Sequence, residues 1–167
     1  MKFLELKIRK ATPRDAKSIS YIWEVICAER IYTSVDKAFT AQQEREYISS
    51  LSEREGIFVA EVDNKIVGFQ TLDLWSKVLN SFRHVGTIGT FILPELRGKG
   101  ISYILANQTF DFARVNDYNK IVIYVRKGNE RAIKFYQNLG FITKGELERQ
   151  VNIEGILENE LFMEKFL

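Results

Sequence analysis

The residues with the clearest chemical potential form a short basic loop that contains two glycines. The loop reads Arg97-Gly98-Lys99-Gly100-Ile101-Ser102 and lies between an apolar segment ending at Leu93 and a segment with helical periodicity. The first amide N–H groups of a helix lack partners inside the helix, and together with the helix dipole they attract anions. Glycine allows a close approach because no Cβ intervenes. The loop therefore predicts a phosphate site, with Arg97 and Lys99 adding positive charge.

A basic turn whose glycines serve geometry alone is the alternative interpretation of this loop. Two common nucleotide motifs are excluded. Tyr103 stands where the third glycine of Gly-x-Gly-x-x-Gly would fall, and no Gly-Lys-Ser/Thr follows a four-residue spacer. The loop thus suits a phosphate but belongs to neither of these two classes.

The segment from Asn129 to Phe141 is the second candidate. Asn129 predicts a helix N-cap, and Gly140 predicts the left-handed residue that ends the helix. Tyr136 falls one turn after Ala132 on the same helix. Without a motif around it, Tyr136 would be interpreted as a core tyrosine that packs on the sheet.

Periodicity predicts the elements that must position these residues. Their order is strand, two helices, three strands, helix, strand, helix and two strands, which indicates a mixed α/β fold in a single domain over residues 1–167. The predicted elements are a strand at 6–10, a helix starting at Thr12, a helix at 40–51, a hairpin at 56–72 turning at Asp63-Asn64, a strand at 84–93, a helix at 102–115, a strand at 120–125, a helix at 129–139, and a closing hairpin at 141–148 and 157–166. Residues 73–82 are predicted to be a connection.

Three of these features resemble the GNAT superfamily of acyl-CoA N-acyltransferases. The loop at 97–102 is similar to the family's Arg/Gln-x-x-Gly-x-Gly/Ala signature, with Ser102 as a departure. Residues 129–141 resemble its Asn-x-x-Ala-x-x-x-Tyr-x-x-x-Gly-Phe signature, and residues 8–15 resemble its opening strand and helix. The surroundings of residues 83–86 and 154–155 look similar to the phosphinothricin, amino-acid and ribosomal-protein N-acetyltransferase branches. The resemblance implies a mostly antiparallel central sheet flanked by helices, with a splayed parallel strand pair that holds CoA.

The resemblance also implies acetyl-CoA as co-substrate, no metal, and direct transfer of the acetyl group to an amine. The amide of Ile92 would face the thioester oxygen, and Tyr136 would protonate the departing thiolate. The residues expected to bind the cofactor are Phe91, Ile92, Leu93, Arg97, Gly98, Lys99, Gly100, Ile101, Ser102, Asn129 and Tyr136. A cap role for Asn129 stays open beside this one.

The general base stays open, because the strand at 84–93 offers no glutamate. Glu24 and Glu29 lie on the first predicted helix, which borders the acceptor site in the resembled family. His84 has a suitable intrinsic pKa but stands at the start of its strand. A solvated helix face for the two glutamates, and a chain of water without a dedicated base, are the alternatives.

The acceptor is expected to be a small-molecule amine or an amino acid. A protein N-terminus is the alternative acceptor, and a non-catalytic CoA-sensing domain is the alternative function. Residues 75–82 and the closing hairpin are expected to shape the pocket, where Arg149, Gln150 and Asn152 would suit a carboxylate.

Composition limits the remaining classes. The 167 residues are 46% hydrophobic, and their 24 basic and 22 acidic side chains nearly balance, so no nucleic-acid partner is expected. No apolar run approaches the ~20 residues of a membrane span, and Glu5 interrupts any signal-like stretch. The single cysteine, Cys27, permits no internal disulfide. We expect a cytoplasmic protein without a membrane partner, and both monomer and homodimer stay open.

Overall fold

The computed structural model describes residues 5–167, which contain seven strands and four α-helices. Their bounds are β1 Leu6–Lys10, α1 Ala16–Ala28, α2 Ala41–Ser50, β2 Gly56–Val62, β3 Lys65–Leu74, β4 Val85–Ile92, α3 Ile101–Val115, β5 Lys120–Arg126, α4 Glu130–Asn138, β6 Ile142–Ile153 and β7 Ile156–Phe166. Short 3-10 turns lie at Pro13–Asp15, Asn80–Phe82 and Pro94–Leu96. The predicted order of strands and helices is confirmed. No helix within the described part of the chain is long and apolar enough to cross a membrane.

All seven strands form one sheet in the order β1-β2-β3-β4-β5-β7-β6. Every neighbouring pair is antiparallel except β4 and β5, which are parallel. The parallel pairing is confined to Val85–Thr87 of β4 and Lys120–Val122 of β5, whereas β4 stays paired with β3 as far as Ile92. The second half of β4 therefore lacks a partner on its β5 side. The expectation of a mostly antiparallel sheet with a splayed parallel pair is confirmed.

Helices cover both faces of the sheet. Phe58, Gln70 and Thr90 are in register on adjacent strands and share one face, where Phe58 packs against Phe112 of α3 with ring centroids 5.2 Å apart. The next register row, which contains Phe69 and Phe91, points to the other face and meets α1. The helices α1 and α3 thus pack on opposite faces of the sheet, next to the splay, where β4 and β5 separate.

Three predicted boundaries differ from the structure. The helix expected from Thr12 begins as the 3-10 turn Pro13–Asp15, and α1 starts at Ala16. The first two residues of the connection expected at 73–82 belong to β3, because Asp73 pairs with Thr87 and Leu74 pairs with Gly86. In the closing hairpin, β6 runs to Ile153, and the turn shrinks to Glu154 and Gly155, both at positive φ.

Candidate active site

The glycine loop connects the 3-10 turn Pro94–Leu96, which follows β4, to the start of α3. Gly98 and Gly100 have φ of +74° and +82°, and Gly100 is the N-cap of α3. The earliest helical amides to find a backbone partner are those of Tyr103 and Ile104, which donate to the Gly100 carbonyl at 3.1 and 3.3 Å. The amides of Ile101 and Ser102 precede the first complete helical turn, so their N–H groups can donate to an anion.

Arg97 is held by the protein itself. Its guanidinium donates to both carboxylate oxygens of Glu29 at 2.7 and 2.6 Å, and its Nε donates to the Ile92 carbonyl at 3.0 Å. The same group lies over the ring of Tyr32, 4.8 Å from the centroid. A bidentate pair of this kind fixes orientation strongly. Arg97 thus ties the end of α1 to the loop, and Glu29 is occupied as its partner.

A different cation stands beside the loop. The guanidinium of Arg131, in the first turn of α4, lies so close that a Cβ on Gly98 would come within 3.3 Å of it. Arg131 lines the cleft between β4 and β5, and among the described residues it has no ion-pair partner. Lys99 lines another surface, next to Glu95 and Leu96. Sequence reasoning missed Arg131. Its position two residues after the N-cap Asn129 places it in the first turn of α4, next to a residue that was expected to bind the cofactor.

The unpaired half of β4 presents its backbone to this cleft, which is called the strand cleft below. The Val85 carbonyl accepts a hydrogen bond from the N–H of Trp75, which follows β3, and the Leu93 N–H donates to the Val67 carbonyl of β3. The odd-numbered residues of β4 therefore direct their backbone N–H and C=O groups toward β3. Because direction alternates along a strand, Thr90 and Ile92 direct theirs into the strand cleft. Ile92 therefore has the orientation expected of it. The backbone N–H of Leu93 points toward β3 instead, contrary to the expectation. Phe91 lines the strand cleft, but its backbone N–H and C=O groups also face β3.

Tyr136 lies at the inner wall of the strand cleft. It is 6% exposed, and its hydroxyl shares a hydrogen bond of 3.0 Å with Oγ1 of Thr90. That Oγ1 also accepts from Nε2 of Gln70 at 2.8 Å, and Gln70 is fully buried. Burial raises the pKa of Tyr136 to about 12, against the opposing effect of the Thr90 hydrogen bond. The tyrosine is thus a neutral, oriented phenol. The spacing gave no sign of Gln70 and Thr90, which reach Tyr136 only through the sheet register.

Asn129 performs the capping role that was left open for it. Its Oδ1 accepts from the Ala132 N–H at 3.1 Å, and its Nδ2 donates to the Tyr32 carbonyl at 3.3 Å. The residue also lines the strand cleft, together with Gly98, Gly100 and Ser102. Ile101 instead packs in the core, where it is buried. The side chain of Asn129 therefore joins α4 to the segment after α1 at the cleft wall.

The residues expected to act as base or to bind the acceptor do not gather here. Glu24 is exposed on α1 and does not line the strand cleft. His84 is exposed at the far end of β4, eight residues or roughly 26 Å of extended chain from Ile92. Arg149, Gln150 and Asn152 are exposed on β6, and residues 76–80, within the segment 75–82 that was expected to shape the pocket, border a separate depression.

A second cavity lies on the opposite face of the sheet, between α2 and the paired ends of β3 and β4. It has a volume of about 710 Å³ and is called the α2 cavity. Three carboxylates line it: Glu44 and Glu46 on α2, and Asp73 on β3. Glu44 is only 4% exposed, and among residues 5–167 its Oε2 has no partner that meets hydrogen-bond geometry. The indole N–H of Trp23 acts on this carboxylate without completing such a bond, and it too has no partner within that range. Asp73 accepts a short hydrogen bond from the hydroxyl of Tyr47.

Burial governs the electrostatics of the α2 cavity. It raises the pKa of Glu44, and the neighbouring indole N–H of Trp23 offsets part of that rise. Burial likewise raises the pKa of Asp73, against the lowering effect of the Tyr47 hydrogen bond. The sequence contains a signal for each of these acids. Glu44 lies on the same helix face as Tyr47 and Ile48, and Asp73 lies between Leu72 and Leu74 at the end of β3.

We expect Glu44→Gln to raise the melting temperature at pH 8, because the substitution removes a buried negative charge with one oxygen that has no completed hydrogen bond. The folded-state pKa of Glu44 is raised, so wild-type protein gains stability as the pH falls through that value toward 4.5. The difference between the two proteins should therefore be largest above the folded-state pKa and close on acidification. Thermal unfolding from pH 4 to pH 8 measures it, with Glu53→Gln, an exposed acid, as the control. A lower melting temperature for Glu44→Gln at pH 8 would contradict the expectation.

Known proteins share both the sequence pattern and the fold. Residues 20–141 match the family model described as the acetyltransferase (GNAT) family. An uncharacterized N-acetyltransferase of Methanocaldococcus jannaschii is 33% identical over 121 residues, or 69% of this chain and 53% of the relative. The spermidine N(1)-acetyltransferase of Escherichia coli is 32% identical over 118 residues, or 70% of this chain and 60% of the relative. The matched regions thus span between half and two thirds of these relatives.

The fold itself has close structural counterparts. A phosphinothricin acetyltransferase from Sinorhizobium meliloti, solved in complex with acetyl-CoA, superposes with a TM-score of 0.89 over 97% of this chain and 88% of that chain, at 18% identity. At this level of identity, the likeness establishes the arrangement of helices and strands.

Proposed function

This chain belongs to the GNAT family of acetyltransferases, and we propose that it transfers the acetyl group of acetyl-CoA to the primary amine of a small molecule, by direct attack in a ternary complex. The observation that carries the proposal is the strand cleft, where a glycine cradle, the unpaired backbone of β4 and a buried tyrosine hydroxyl meet. The family match and the spermidine acetyltransferase of Escherichia coli, which also acts on an amine, support the same class of reaction.

The residues of the strand cleft suit acetyl-CoA. The amides of the loop from Gly98 to Ser102 would bind the pyrophosphate, with the guanidinium of Arg131 adding charge. Arg97 would position this loop through Glu29 and would not bind the phosphate itself. The backbone groups of Thr90 and Ile92, which have no strand partner on the β5 side, would pair with the amide-containing arm of the co-substrate.

The chemistry follows from the groups at the splay. The amine nitrogen attacks the carbonyl carbon of the thioester, a C–N bond forms, and the C–S bond breaks. The Ile92 N–H would donate to the carbonyl oxygen as it gains negative charge. The phenol of Tyr136 would donate its proton to the departing thiolate, which leaves as a free thiol, and the phenolate would then regain a proton from water. The proton lost by the amine would pass to water, so no dedicated base is assigned.

The first experiment that tests the proposal is a calorimetric titration of the purified protein with acetyl-CoA, followed by an assay of thiol release with a panel of amines, amino acids and a peptide N-terminus. We expect micromolar binding, and thiol release that depends on an added small amine. Release with the peptide alone would replace the small-molecule acceptor by a protein. Binding without release for any acceptor would favour a sensing role, and absence of binding would contradict the assignment of the strand cleft.

A further inference from the structure

The α2 cavity is acidic and contains no compensating base. Glu44, Glu46 and Asp73 line it, and no lysine, arginine or histidine among the described residues does. A carboxylate buried like Glu44, with one oxygen lacking a hydrogen bond, is held in the fold at a desolvation cost. A bound cation would satisfy that oxygen and offset the cost. The cavity is therefore complementary to positive charge.

The walls between the acids are aromatic. Trp23 forms the centre of a group that includes Phe39, Phe69 and Phe91, with ring centroids 4.3 to 5.5 Å from its own. These rings border the α2 cavity and offer apolar surface to methylene groups, and their faces attract ammonium ions. An aliphatic chain that ends in an ammonium group combines both features. A carboxylate in this cavity would instead meet like charge.

The α2 cavity adjoins the strand cleft. Phe91 lines both, and it lies between Thr90 and Ile92, whose backbone groups face the strand cleft. A molecule whose reacting nitrogen reaches the splay can therefore extend past Phe91 toward Glu44 and Asp73. We propose that the α2 cavity binds the distal ammonium group of an aliphatic diamine or polyamine through Glu44 and Asp73, while the other amine receives the acetyl group. The inference rests on the acetyl transfer proposed above, and it disfavours the amino acids that were considered from the sequence.

Three acceptors of equal chain length test the distal charge: 1,4-diaminobutane, butylamine and 4-aminobutanoate, which place a cation, no charge and an anion at the far end. We expect kcat/KM at pH 8 to be about 10-fold or more higher for the diamine than for butylamine, because only the diamine gains a hydrogen bond between its distal ammonium group and a carboxylate. The aminobutanoate should be the poorest acceptor. Equal kcat/KM for diamine and butylamine would overturn the proposal.

Isosteric variants locate the effect. Glu44→Gln and Asp73→Asn should each raise KM for the diamine about 10-fold and leave butylamine within about 2-fold, because only the diamine loses a charged partner. Glu53→Gln removes an exposed acid outside the cavity and should change neither. A loss shared equally by both amines would contradict a specific role for the distal charge.

Calorimetry of 1,4-diaminobutane binding separates this inference from the proposed reaction. Binding that Glu44→Gln weakens, in a protein that acetylates no amine, would support the α2 cavity and refute the transfer. Acetylation of butylamine and the diamine alike, with binding indifferent to Glu44→Gln, would support the transfer and refute the cavity assignment.

Discussion

Aspartate in place of Gly100 should raise the Kd of acetyl-CoA by about 100-fold or more. The substitution places a negative charge at the N-cap of α3, where the proposed pyrophosphate would lie. Two unit charges about 4 Å apart repel by about 4 kcal/mol at the effective dielectric of a protein surface. No atom of the protein lies within 4 Å of a Cβ at this position, so the side chain meets no steric obstacle except the ligand. Calorimetric titration with acetyl-CoA measures the effect.

Gly100→Asn is the matched control, because asparagine has the shape of aspartate without its charge. Both residues tolerate the left-handed conformation that Gly100 adopts at φ +82° better than other side chains do, and both are favoured as N-caps. The negative charge of aspartate also interacts favourably with the helix dipole at the N-terminus of α3. The melting temperature of the aspartate variant should therefore be no lower than that of the asparagine variant. Affinity lost in the aspartate variant alone would therefore report on charge at the phosphate. Equal affinity in the two variants would mean that the anion binds elsewhere.

The conformation of the loop could be predicted from the sequence because it depends on the backbone. Glycines at the end of a strand and before a helix dictate where unpartnered amides must lie, whatever surrounds them. Local spacing says less about side chains such as Arg97. A basic residue next to a phosphate loop suggested a ligand contact, but the structure pairs it with Glu29, which is 68 positions away in the chain. Long-range ion pairs of this kind have no signature in local spacing.

The acidic residues show a related limit. Glu24 and Glu29 were considered because the first helix borders the acceptor site in the resembled family. The acids that line a common cavity are instead Glu44, Glu46 and Asp73. Their convergence depends on how α2 crosses β3, and no periodicity encodes that crossing. The register of β3 and β4 likewise brings Gln70 to Thr90 and so orients Tyr136. The elements and the loop follow from local sequence, and the electrostatics of the two cavities follow from tertiary packing.

Tyr136→Phe should lower kcat by about 10- to 100-fold while leaving the Kd of acetyl-CoA within about 2-fold, since general acids contribute at the time of leaving-group departure. Burial makes this phenol a weak acid, with a pKa of about 12. Exclusion of water also raises the pKa of the thiol that forms beside it. The pKa values of the phenol and the thiol therefore rise together, and proton transfer between them stays favourable. Because the phenol stays protonated well beyond pH 10, its own ionisation should produce no alkaline fall in kcat over the assay range.

Tyr118→Phe supplies the control for this prediction. Tyr118 is also buried, its pKa is also raised to about 12 by burial, and its hydroxyl donates to the Arg54 carbonyl at 3.1 Å, outside the strand cleft. Both substitutions delete one buried hydroxyl, so a loss of stability would affect both variants. A fall in kcat confined to Tyr136→Phe would then be chemical in origin. If the two variants keep the same kcat as wild type with a good acceptor, the thiolate is protonated by water and Tyr136 only packs against the sheet.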